Sequence, residues 1–281
     1  MYTTNNNFTN SKQNKKKKKS KFPSDGSVDC SLHIRGLGSI VKSGKAKAGN
    51  GEVAIKVVSS ATAGFITAEQ RKQHAEILQD ASQHPRIVKL LQKFDTNDAV
   101  HLVLEKMHGE VFRQVTKQAA DYTEKDACGI VKQVLEAVQF LHSKQVLHGD
   151  ITPENVLAVG DKPDNVKLCG FTLAQHMPSN GEMMCAEEFK APESLMRQPV
   201  TLQSDMWSLG CLAYFAWVLI WCRDTSMWLI VLYRLSGYPP FADKNTIKLQ
   251  ASIRKGQFQF PDADWAAVSP EGMYICDEWK W

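Results

Sequence analysis

Clusters of β-branched and aliphatic residues mark the first third of the chain, at Glu52-Val53-Ala54-Ile55-Lys56-Val57-Val58 and at His101-Leu102-Val103-Leu104, and predict strands. Between them, Thr67-Ala68-Glu69-Gln70 has capping-box spacing and predicts a helix through Leu78, closed by His84-Pro85. After Glu105 the period changes. Val131, Val134, Leu135, Val138 and Leu141 recur at helical spacing behind a second capping signal, Thr123-Glu124-Lys125-Asp126. The pattern predicts a small sheet with one helix, then a helical region, without internal repeats.

Composition narrows the class. At 281 residues and 43% hydrophobic content, the chain can bury a substantial core, as one large two-lobed domain or two small ones. The formal charge of +4 is misleading, because residues 1 to 22 hold seven lysines and no acid, leaving 27 basic against 30 acidic residues elsewhere. This Asn-, Ser- and Lys-rich start, with Lys15 to Lys19 consecutive, lacks apolar content and predicts a disordered tail over 1–30. Nucleic-acid contact is expected only as nonspecific attraction to that tail. No apolar segment follows Met1, and seven cysteines without a C-x-x-C pair suit reduced thiols in the cytoplasm or nucleus.

The chemistry-bearing stretch is Val146-Leu147-His148-Gly149-Asp150-Ile151-Thr152-Pro153-Glu154-Asn155-Val156-Leu157, in which Asp150 and Asn155 stand five apart. Two readings apply: a base with a metal ligand, or two side chains that hydrogen-bond loop backbone. Leu168-Cys169-Gly170-Phe171-Thr172-Leu173-Ala174 follows, then Ala191-Pro192-Glu193, Ser204-Asp205-Met206-Trp207-Ser208-Leu209-Gly210 and Ser236-Gly237-Tyr238-Pro239-Pro240-Phe241. With Val53-Ala54-Ile55-Lys56 ahead of them, these motifs in this order resemble the eukaryotic protein kinases from near Gly36 to about Phe260. Val166 to Gln175 and Ser236 to Phe241 look most like the calmodulin-dependent kinase branch, including the titin, twitchin and obscurin-like giant muscle kinases.

The resemblance implies an α+β, two-lobed fold. A sheet-rich N-lobe would span 31–105, and a helical, C-terminally truncated C-lobe 106–281. It implies ATP contacts from Gly36, Gly38, Ala54, Lys56, Glu105, Met107 and Leu157, a catalytic base at Asp150 and a metal ligand at Asn155. Several parts depart from the family pattern. Gly170 replaces the aspartate that binds Mg²⁺, His74 the helix glutamate that pairs with the lysine, Gly149 an arginine and Thr152 a phosphate-stabilising lysine. Glu76, two positions from His74, should point elsewhere on its helix. ATP and Mg are therefore expected to bind weakly or not at all.

Gly210 and Gly237 stand about sixteen residues further apart than the resemblance implies, with the excess near 215–230. Arg223 and Asp224 interrupt this apolar stretch before about 18 uncharged residues accumulate, so no membrane span is expected. It reads as a partner-binding insertion or as translated intron sequence. Glu193 is expected to lack its usual late arginine partner. The resulting expectation is a pseudokinase with a scaffold or regulatory role, acting on a protein partner in the cytoplasm or cytoskeleton. The alternatives are an active ATP-dependent serine/threonine kinase and an interaction module of a larger cytoskeletal muscle protein.

Overall fold

The computed structural model describes residues 33–36, 39–45, 51–59, 67–96, 98–117, 122–179, 183, 185–221, 238–266 and 268–278. The lysine-rich tail, Gly38 and the end of the apolar stretch lie outside the described residues.

Five strands, β1 (His33–Gly36), β2 (Ser39–Lys45), β3 (Glu52–Ser59), β4 (Leu90–Asp95) and β5 (Ala99–Glu105), form an antiparallel sheet ordered β1-β2-β3-β5-β4. In β3, Val53 and Ile55 are buried with Val103 of β5, and Ala54 pairs with Leu104. Helix α1 (Ala68–Ala81) starts at the predicted cap: Thr67 Oγ accepts from the Gln70 N–H, and the Gln70 side chain accepts from the Thr67 N–H. It continues three residues beyond Leu78, because Ala81 is buried and Ser82 caps the helix end.

The helical region holds α2 (Val111–Lys117), α3 (Glu124–Ser143), α4 (Pro192–Leu195), α5 (Leu202–Trp221), α6 (Thr246–Lys255), α7 (Asp262–Trp265) and α8 (Pro270–Glu278). Thr123 caps α3 in a reciprocal box with Asp126, and the periodic face of α3 packs on α5. The sheet-rich first part and helix-rich second part make the two-lobed α+β fold.

Phe215 to Leu219, read from sequence as the start of an insertion, belong to α5 and are buried core residues. They lack a polar face because α5 is surrounded by α2, α3, α7 and α8, and a helix buried all round is apolar all round. Tyr214 sits within an aromatic cluster of Phe258, Phe260 and Trp265. Residues 222–230 lie outside the described residues. Among the described residues, no helix is long and apolar enough to cross a membrane.

The expected orphan at Glu193 is corrected as well. Its carboxylate is half-exposed and accepts a short hydrogen bond from Ser204 Oγ, so a hydroxyl eleven positions on partners the charge.

Candidate functional site

Three short strands assemble the central loop: β6 (Val146–Leu147) pairs with β9 (Gln175–His176), and β7 (Val156–Ala158) pairs with β8 (Val166–Leu168). The loop after α1 is pinned to β8, with the Leu168 N–H donating to Arg86 O at 2.8 Å and the Val88 N–H to Leu168 O at 3.0 Å. Sheet and central loop thereby hold a fixed relation.

Asp205 organises the loop from beneath. Its fully buried carboxylate accepts from the His148 N–H at 2.8 Å and the Gly149 N–H at 2.9 Å, and lies 3.0 Å from His142 Nε2. Gly149 has φ +74°, and a Cβ there would lie 3.1 Å from Leu173 O, so the glycine suits this turn better than the arginine it replaces. The His148 ring stands edge-on to buried Phe171 at 4.9 Å. Its Nδ1 accepts from the Asp150 N–H and its Nε2 faces Cys169 O at 2.9 Å, an arrangement that suits the neutral ring. Burial holds the His148 pKa below its ordinary value.

The structure brings Lys56, Asp150, Asn155 and Gly170 together. Asn155 Nδ2 donates to Asp150 Oδ2 at 2.7 Å and Asp150 O at 2.8 Å, with a longer contact to buried Thr152 Oγ at 3.3 Å. Gly170 has φ +90°, and a Cβ at this position would lie 2.3 Å from both Cγ and Oδ1 of Asn155. The Asn155 carboxamide thus fills the space into which an aspartate at 170 would project.

Lys56 has a partner absent from the sequence reading: its ammonium donates to Thr172 Oγ at 2.6 Å. The helix position opposite holds His74, whose Nδ1 is buried without a hydrogen-bond partner among the described residues. Glu76 is exposed, 4.0 Å from Lys72.

Electrostatics follow from this packing. Burial lowers the Lys56 pKa, opposed by Cys169 and Asp150. Burial, with Lys56 nearby, lowers His74 to about 4. Asp150 is pushed up to about 7 by burial, against the Asn155 hydrogen bond and Lys56. Burial also raises the Cys169 thiol to about 12. A cluster that has lost a carboxylate has responded by becoming nearly neutral.

The remaining predicted residues surround the 105–107 connector. Met107 and Ala54 are half-buried against the main core, and Leu157 is half-buried on β7. The His108 N–H donates to Ala158 O and the Ala158 N–H to Gly109 O, which sets Leu157 beside the connector. Glu105 Oε1 accepts from Lys167 Nζ and from the Lys89 N–H, both at 2.6 Å, leaving its carboxylate committed to structure. Gly36 pairs with Ser39 at the β1–β2 turn.

These residues do not fit a bound Mg²⁺. Position 170 offers no carboxylate, Asn155 is turned onto Asp150, and among the described residues no three His, Cys, Asp or Glu side chains converge to hold a metal.

The protein kinase domain profile matches residues 35–219, and the chain belongs to the protein kinase family. It is 31% identical over 84% of its length to a probable myosin light chain kinase of Dictyostelium discoideum, covering 56% of that protein. It is 35% identical over 66% of its length to a calcium/calmodulin-dependent protein kinase type 1 of Macrobrachium nipponense, covering 50% of it. The chain therefore spans about half the length of these curated relatives. The autoinhibited serine kinase domain of the giant muscle protein titin matches in fold, with TM-score 0.72 and 23% identity over 90% of this chain and 74% of that one.

Proposed function

We propose that this chain is a pseudokinase domain, in which 31–105 and 106–281 serve as the two lobes of a scaffold or regulatory module that engages a protein partner. The observation that carries the reading is the Asn155 carboxamide filling the space beside Gly170. Phosphoryl transfer depends on metal ions that bridge the phosphates and on preorganised cations that stabilise them. Here the metal carboxylate is absent, the lysine is bound to Thr172 and position 152 holds a buried threonine. Loss of one preorganised donor commonly lowers rate by roughly 10² to 10³, and the losses here fall on one site. Any residual ATP binding is metal-independent in this reading. The similarity to myosin light chain kinases and the titin kinase domain supports a cytoplasmic, cytoskeletal partner.

The test is transfer of labelled phosphate from Mg·ATP to the chain itself or to a generic serine/threonine substrate. No transfer above background is expected. Transfer that disappears in Asp150→Ala would establish an active kinase instead.

A further inference from the structure

We propose that the cleft beside the 105–107 connector binds a neutral purine nucleoside in preference to a magnesium nucleoside triphosphate. This rests on the pseudokinase reading and adds the ligand class that the site takes.

The two ends of the cleft have diverged. At the connector, Met107 is half-buried, and neither its N–H nor its C=O has a hydrogen-bond partner among the described residues. Half-buried backbone groups that lack partners favour a ligand supplying them. The register places Ala54 to one side, through its pairing with Leu104, and Leu157 to the other, through the bridge between Leu157 and Glu110. A donor and an acceptor between apolar side chains suit the edge of a planar heterocycle such as a purine.

The other end repels charge. Lys56 must leave Thr172 to reach a phosphate, and Asn155 must leave Asp150 to reach a metal. The space in front of Gly170 is filled by Asn155, and the buried Asp150 carboxyl stands beside it. A triphosphate brought here would lose water without gaining a free cation in return. A nucleoside, ending at its ribose, avoids that cost.

Isothermal titration of the full chain with adenosine, with ATP plus Mg²⁺ and with ATP plus EDTA tests the proposal. Adenosine is expected to bind about tenfold more tightly than ATP, with no gain from Mg²⁺. Thr172→Val frees Lys56 and is expected to narrow the adenosine-to-ATP gap by about tenfold, whereas Thr172→Ser keeps the hydroxyl and the wild-type ratio. ATP binding that exceeds adenosine binding, or that strengthens with Mg²⁺, overturns the proposal. A gap unchanged in Thr172→Val also overturns it, because the lysine tie is then not its cause. Binding of neither ligand removes the nucleoside site but leaves the pseudokinase reading standing, since that reading is decided by phosphate transfer.

Discussion

Asn155 and Gly170 share one space: the carboxamide of the first lies 2.3 Å from where a Cβ on the second would stand. The loss of a side chain at 170 and the turning of Asn155 onto Asp150 are thus one structural event. In an unaltered kinase site the two residues would bind metal from neighbouring positions; here one occupies the place of the other.

Gly170→Asp does not restore a metal site in this arrangement. The new side chain meets Asn155, and its φ of +90° suits glycine. Destabilisation of ~1–3 kcal/mol is expected in urea denaturation, as for other overpacked sites, without the appearance of phosphate transfer.

Asp150 and His74 give opposite pH dependences. The folded pKa of Asp150 is raised to about 7, so its contribution to stability is complete below its unfolded value and is lost as pH rises toward 7. That of His74 is lowered to about 4, so its contribution is present above its unfolded value and is lost as pH falls toward 4. Between pH 4 and 6.5 the two slopes oppose. Asp150→Asn is expected to leave the histidine slope alone, with stability rising by ~1–3 kcal/mol over that window, and His74→Leu to leave the falling one. Denaturation midpoints across pH check both signs.

Asp205 carries the loop that presents Asp150. Asp205→Ala orphans the buried N–H groups of His148 and Gly149, for an expected cost of ~3 kcal/mol or more. Faster hydrogen exchange at 148–150 is the accompanying signature.

Glu124 ties the C-terminal end to the core. It accepts from Ser269 Oγ at 2.7 Å, the Ser269 N–H at 3.2 Å and Trp217 Nε1 at 3.1 Å. Glu124→Ala is expected to cost ~1–3 kcal/mol, and hydrogen exchange should rise first in α8.

Local signals were legible in the sequence. Thr67 and Thr123 cap their helices because capping is decided within four residues, and the motif around Lys56 fixed β3. Signals spanning long separations were not. The partner of Lys56 lies 116 positions away, and Thr172 was read only as a missing glycine. Glu124 was read as part of a cap, although Ser269 lies 145 positions on. The end of α5 was misread because an all-buried helix has no polar face to give it a period. Glu193 was judged by the partner it lacks, while Ser204 stood nearby.

The claim at the centre is that this cleft holds no divalent cation with a nucleotide. Electron paramagnetic resonance of Mn²⁺ with ATP, in the presence of the full chain, tests it directly. The expected spectrum matches that of Mn²⁺ and ATP alone; a protein-bound manganese signal that disappears in Asn155→Ala would contradict it.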